Sequence, residues 1–133
     1  MKTISLSSAE NVISAVGFAS QSGHPLNRHL TISWYVAGIP GRVQDAQREV
    51  LQLASKWLKY RGVTPAYVWV IENSPRLRYH SHIYIHVPRH LAGKFRKMVN
   101  RWVKGVGGDP RLRGAIRMTQ DKYDRGNYHA ASR

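Results

Sequence analysis

Hydrophobic and polar residues alternate along the chain in two regular patterns, one typical of strands and one typical of helices. Strand-like alternation of β-branched and aromatic residues covers residues 29–36, 66–72, 79–87 and, more weakly, 113–119. Residues 42–60 and 89–104 place apolar side chains three and four positions apart, which predicts two amphipathic helices. The predicted order is therefore strand, helix, strand, strand, helix, strand.

This order predicts an α+β, ferredoxin-like fold, β-α-β-β-α-β, with helices packed on an antiparallel sheet. RNA-recognition domains share the order, so the fold alone does not decide the function. Residues 1–27 are rich in Ser, Gly and Asn and predict an N-terminal arm with a short helix around residues 9–18. The folded domain is expected to occupy residues 28–133.

Charge narrows the class of partner. The 133 residues include 21 Lys and Arg but only 7 Asp and Glu, which gives a formal net charge of +14. A surplus of that size favours a polyanionic partner, most often nucleic acid, although a basic ribosomal or chromatin component would also show it. Charge indicates the partner and says nothing about chemistry.

The chain contains no cysteine, so disulfides and thiolate metal sites are excluded. This composition permits a cytoplasmic location, which is our expectation. No stretch is apolar for the length of a membrane span, and Glu10 and Asn11 interrupt the apolar residues that follow Lys2. We therefore expect neither a signal peptide nor a membrane partner.

One short segment carries a pattern typical of a metal site. His80 and His82 alternate on a predicted strand, so they share a face about 7 Å apart at the backbone, and both imidazoles can reach one ion at about 2.1 Å. Glu72 ends the preceding strand, and a tight hairpin returns the chain beside it. Two histidines and one carboxylate form a three-ligand site typical of catalytic metals. The alternative is a chance pair of surface histidines.

The remaining histidines are weaker candidates. His86 shares the face of His82 but lies about 13 Å along the strand, so we expect a packing role or a phosphate contact. His29 opens the first strand and would contact substrate if that strand is central. No metal role is expected for His24, His90 and His129.

These residues resemble the motifs of HUH endonucleases. H-S-H-I-Y-I-H-V-P at residues 80–88 is similar to the family's His-hydrophobic-His strand, with Ser81 departing from the apolar central residue. N-R-H-L-T-I-S-W at residues 27–34 resembles the first-strand motif, and Glu72 resembles the carboxylate ligand of viral and plasmid initiators. The resemblance spans residues 27–104 and implies a ferredoxin-like fold and a divalent metal, Mn²⁺ or Mg²⁺. By ligand preference alone, Zn²⁺ would suit equally.

The resemblance also implies a nucleophilic tyrosine, usually with a lysine a few residues later. That tyrosine attacks the scissile phosphate and keeps the 5′ end, while the metal polarises the phosphate. Tyr128 is the first candidate and Tyr123 the second, but no lysine follows either of them, so a tyrosine beyond Arg133 is the alternative. Tyr84 is expected to pack or to stack on substrate.

Basic and aromatic residues indicate where DNA would lie. Arg76 and Arg78 occupy the hairpin beside the proposed metal, where phosphates would arrive. On the second helix the candidates for DNA contact are Lys94, Arg96 and Lys97, which otherwise form its solvated face. Four aromatic residues either stack bases or join the core: Trp34, Tyr35, Tyr67 and Trp69.

The resemblance implies metal-dependent nicking and joining of single-stranded DNA or a DNA hairpin, as in the initiation of rolling-circle replication of a plasmid. Three alternatives stay open at this point: a transposase of the same superfamily, a non-enzymatic single-stranded DNA- or RNA-binding module of RNA-recognition type, and a zinc-dependent hydrolase. Metal identity and a covalent protein–DNA adduct separate them.

Overall fold

The computed structural model describes residues 21, 23–76 and 78–120. Its elements are β1 (Arg28–Ser33), α1 (Val43–Tyr60), β2 (Tyr67–Ser74), β3 (Arg78–Ile85), α2 (Ala92–Gly105) and β4 (Ile116–Gln120). The four strands form one antiparallel sheet in the order β2-β3-β1-β4. The predicted α+β class, with an antiparallel sheet and two helices, is confirmed.

The core lies between one face of the sheet and the two helices. Alternate residues of the central strands β1 and β3 enter it, including Leu30, Ile32 and Ile83, all at most 2% exposed. The helices contribute a cluster of aromatic rings that pack edge to face, namely Trp57, Phe95 and Trp102. Because side chains alternate along a strand, the polar residues between the apolar ones share the opposite face of the sheet, which neither α1 nor α2 covers and which we call the open face.

The first predicted strand is shorter than its alternation indicated. β1 ends at Ser33, and the backbone turns at once, with the Ala37 N–H donating to the Ser33 carbonyl at 2.9 Å. Gly38 adopts a φ of 91° in this turn, a conformation that glycine accepts without steric cost. Trp34 follows the strand, and its buried indole N–H donates to the Ser81 hydroxyl at 2.7 Å.

The hairpin between β2 and β3 reverses later than predicted, because the second predicted strand ends at residue 72 and β2 ends at Ser74. β2 continues to Ser74, which pairs with Arg78 across the ladder. Arg78 itself has a φ of 60°, so its left-handed backbone conformation forms part of the turn. The extension matters because it places Glu72 inside the ladder, directly opposite His80.

Other predicted boundaries also shift by a few residues. β3 ends at Ile85 rather than at residue 87, and a single 3₁₀ turn, Arg89–Leu91, precedes α2. β4 begins at Ile116 rather than at residue 113, because a turn in which the Ala115 N–H donates to the Leu112 carbonyl occupies the intervening residues.

The end of the predicted N-terminal arm packs against the sheet. Leu26 and Asn27 are buried, and the Asn27 side chain both donates to the Val87 carbonyl and accepts from the Val87 N–H, each at 2.9 Å. The short helix predicted over residues 9–18 lies outside the described residues. Neither α1 nor α2, the helices of the described part, is long and apolar enough to cross a membrane.

Candidate metal centre

Three side chains converge on the open face of the sheet, where β2 and β3 run side by side. Glu72 pairs with His80 across the ladder, and His82 follows two residues later on the same face. One potential ligand atom from each residue lies within 4.8 Å of the others. The structure thus brings together the three residues that the sequence nominated as metal ligands.

The two imidazoles converge on one carboxylate oxygen. Nε2 of His80 lies 2.6 Å, and Nε2 of His82 3.1 Å, from Oε1 of Glu72. The His80 side chain is 7% exposed, whereas those of His82 and Glu72 are 24% and 30% exposed. One side of the cluster is therefore held by the sheet while the other is accessible to a ligand.

The proton on His80 can be placed from its partners. Its Nδ1 lies 3.0 Å from the carbonyl oxygen of Arg78, which only accepts, so Nδ1 carries the hydrogen. A neutral His80 would then direct the lone pair of Nε2 at a carboxylate oxygen, which also accepts. A proton shared by these two atoms, or a metal ion bound to both, would satisfy the contact.

His82 is held from behind by β1. Its Nδ1 lies 3.0 Å from Nε2 of His29, and the Thr31 hydroxyl lies 3.3 Å from that same His29 nitrogen. The His29 ring is stacked on Tyr84, with ring centroids 4.4 Å apart. His29, expected as a substrate contact, here contacts the far nitrogen of His82, the position at which a hydrogen-bond partner usually orients a metal-ligating histidine.

The electrostatics of the cluster favour an ionised carboxylate. Hydrogen bonding from His82 is the largest cause that holds the pKa of Glu72 below its ordinary value near 4.5, and His80 adds to it. Partial burial acts in the opposite direction and does not prevail. A carboxylate at neutral pH beside two imidazole nitrogens is a donor set that fits a divalent cation.

The predicted DNA-binding residues divide between two sides of the molecule. Arg76 and Arg78 are exposed on the hairpin beside the cluster, and the Arg78 guanidinium lies 5.5 Å from the ring centre of Tyr35. The other three project from α2 on the helix layer, across the sheet from the cluster: Lys94, Arg96 and Lys97.

Of the four candidate stacking aromatics, Trp34 and Trp69 are buried in the core, and Tyr67 packs against it. Only Tyr35 is exposed, at 53%. The candidate nucleophiles Tyr123 and Tyr128 lie outside the described residues, as does His129.

Two members of the site were not predicted from the sequence. Thr31 shares a face with His29 because it lies two residues along the same strand, and that spacing could have identified it. The Arg78 carbonyl has no signal in the sequence, since its position depends on the hairpin backbone. His86 lies beyond the end of β3, and its Nδ1 bonds the Pro25 carbonyl at 2.8 Å.

Comparison of the chain with protein-family models, curated proteins and solved structures finds no match.

Proposed function

We propose that this domain is a metal-dependent endonuclease of the HUH type, which nicks and rejoins single-stranded DNA as a rolling-circle replication initiator does. The convergence of Glu72, His80 and His82 on the open face of the sheet is the observation that supports the proposal most directly. The strand order β2-β3-β1-β4 supports a ferredoxin-like fold, with β1 and β3 as the two central strands.

Glu72, His80 and His82 would hold the ion, with Mn²⁺ or Mg²⁺ as the first choice and Zn²⁺ as the alternative. When bound, such an ion supplies positive charge that polarises a phosphate oxygen. The chain's own contribution is orientation: the Arg78 carbonyl and His29 fix the two rings from behind, so that both Nε2 atoms face the same point.

The chemistry is a transesterification that balances without a further reagent. The tyrosine oxygen forms a bond to phosphorus, the bond from phosphorus to the 3′ oxygen breaks, and that oxygen takes up a proton. The phenolic proton leaves to solvent, and the 5′ phosphate stays on the tyrosine, so rejoining is the reverse reaction. Tyr128, Tyr123 or a tyrosine beyond Arg133 would supply the attacking oxygen.

The accessible side of the cluster suits a single strand. Arg78 and Tyr35 stand together at the hairpin end, where a cation and an exposed ring can contact a phosphate and a base. Further along the face, Tyr84 and His29 offer a stacked pair of rings. A duplex would keep its bases out of reach of these groups.

A non-enzymatic module of RNA-recognition type is less well supported. Such modules stack bases on aromatic residues of the two central strands. Here β1 and β3 offer one stacked pair of rings, His29 and Tyr84. The positions beside that pair hold His80 and His82, whose Nε2 atoms are directed at Glu72, and such a module has no use for that arrangement. No specific observation favours a transposase of the same superfamily over an initiator.

The deciding experiment measures metal binding first and chemistry second. Titration calorimetry with Mn²⁺ should show one site that is lost in His80→Ala and in His82→Ala but kept in His90→Ala, which removes an exposed histidine on the helix side. Unchanged affinity in the first two variants would refute the metal centre.

Chemistry is then read as a covalent adduct on a denaturing gel, using Mn²⁺ and labelled single strands of random sequence. Tyr128→Phe or Tyr123→Phe should abolish the adduct if that residue is the nucleophile. An adduct that forms only with a longer chain would assign the nucleophile to a residue beyond Arg133. No adduct with either chain, despite metal binding, would favour a binding module.

A further inference from the structure

The solvent face of α2 carries charge of a single sign. Five basic side chains are exposed along the helix, and no acidic residue occurs between Ala92 and Gly105: Lys94, Arg96, Lys97, Arg101 and Lys104. None of the five forms an ion pair with another described residue. The neighbouring helix α1 differs, because its Asp45 pairs with Arg42 and Arg48.

Four of these residues form a continuous row. Their spacings of three, four and three residues place them along one line of the helix surface, over about 15 Å at 1.5 Å of rise per residue. We name this line the basic row: Lys94, Lys97, Arg101 and Lys104. The opposite side of the same helix packs Phe95, Val99 and Trp102 into the core, so the row points away from the sheet.

The basic row and the metal centre therefore lie on opposite sides of the molecule. Glu72, His80 and His82 occupy the open face of the sheet, whereas the hydrophobic core and α2 occupy the other face. A phosphate held at the three ligands cannot also contact the row, because the sheet and the core lie between them.

We propose that the basic row is a second, separate binding surface, which holds the phosphate backbone of double-stranded DNA. Like charge repeated along one line of a helix, here over four residues, is the pattern that contact with the phosphate backbone requires. Proteins that bind single strands add exposed aromatic platforms, and the exposed side of α2 has none, since Phe95 and Trp102 are buried. This surface does not depend on metal binding or on the proposed nuclease activity.

The test compares two double variants that remove the same charge from the two helices. Lys97→Gln with Arg101→Gln shortens the basic row, and Lys56→Gln with Lys59→Gln removes two exposed lysines from α1. Duplex affinity is measured by fluorescence anisotropy over a range of salt concentrations. Circular dichroism melting shows whether both variants remain folded.

Loss of two phosphate contacts should weaken duplex binding of the α2 variant by up to about 60-fold at roughly 0.1 M salt. At that salt concentration each contact contributes about 0.9 to the decimal logarithm of the association constant. Its salt slope should become less steep by about 1.8. The α1 variant should stay close to the wild type in both quantities.

Equal losses in the two variants would overturn the proposal, because net charge alone would explain them. A loss confined to single-stranded DNA, with duplex binding intact, would overturn it as well. Mn²⁺ titration of the same variants separates the two proposals: the α2 variant should keep the metal site, and a wild type without metal binding would still show the duplex effect.

Discussion

Each ring of the candidate metal centre is held at its far nitrogen as well as at its ligand nitrogen. His80 donates to the Arg78 carbonyl, and His82 faces His29 across 3.0 Å. If Nε2 of His82 binds a metal, Nδ1 has to carry the hydrogen, and His29 then accepts it. Because β1 and β3 are hydrogen-bonded neighbours, His29 stands in place to accept that hydrogen before a metal arrives.

His29→Ala should therefore weaken Mn²⁺ binding about 10- to 100-fold, the usual effect of removing a partner behind a metal ligand. His29→Gln retains an acceptor and should recover part of the affinity. Calorimetry measures both, and Thr119→Ala, an exposed residue paired with His29 on β4, is the control. Wild-type affinity in His29→Ala would show that His82 needs no support from β1.

Glu72 links the centre to stability in acid. Its pKa is lowered in the folded state, so its carboxylate stabilises the fold above the unfolded value, and that contribution is lost as the pH falls through the lower, folded pKa. The difference in unfolding free energy between wild type and Glu72→Gln, measured with a chelator present, should therefore be largest above pH 4.5 and shrink below it.

Glu49→Gln provides the matched control for that titration, because Glu49 is exposed on α1 and forms no ion pair with another described residue. Its denaturation profile should follow the wild type at every pH. A Glu72→Gln difference that stays constant through the acid range would mean that the histidines do not stabilise the ionised carboxylate.

On the scale of secondary structure, α1 contains one position that conflicts with its amphipathic pattern. Gln47 is fully buried among apolar residues, and neither polar atom of its amide has a hydrogen-bond partner among the described residues. An unpaired buried amide costs about 1–3 kcal/mol. Gln47→Leu should therefore raise the free energy of unfolding by about that amount, as measured by urea denaturation.

Gln52→Leu on the exposed side of the same helix is the control, and its effect should stay within about 0.5 kcal/mol. A loss of stability in Gln47→Leu would indicate that the amide has a polar partner, such as a buried water.

Local patterns in the sequence were sufficient to predict the helices and strands and the three candidate ligands. Alternation puts His80 and His82 on one face, and a tight hairpin puts Glu72 beside them, so both relations depend on neighbours in the chain. The contact between His29 and His82 depends instead on β1 pairing with β3, two strands 53 residues apart. No local pattern encodes that pairing. His29 could therefore be predicted as a member of the site only on the condition that β1 is a central strand.

The ends of the elements were predicted less well for a similar reason. Alternation continues from β1 through Trp34, but the backbone turns after Ser33, where the Ala37 N–H donates to the Ser33 carbonyl. The chain therefore leaves the sheet while its sequence still has the pattern of a strand. Tertiary packing overrides local preference at this point.

At the scale of the whole molecule, the two layers of the fold separate two kinds of polar surface. The open face of the sheet carries the histidines, Glu72 and exposed rings, and the helix layer carries the basic row. Both surfaces suit nucleic acid, but through different groups: ligands and rings on one side, charge alone on the other. The excess of basic over acidic residues attracts nucleic acid to both surfaces, and it should dominate nucleic-acid binding in the absence of metal.

Binding to single-stranded DNA should therefore depend steeply on salt. With a chelator present, the logarithm of the affinity should fall linearly with the logarithm of the salt concentration, with a slope of about −0.7 for each phosphate neutralised, so six contacts would give about −4. Filter binding at several salt concentrations measures this slope. His82→Ala is the control, because it removes a proposed ligand but no lysine or arginine and should leave the slope unchanged. A flat dependence in the wild type would mean that a formal charge of +14 serves a partner other than nucleic acid.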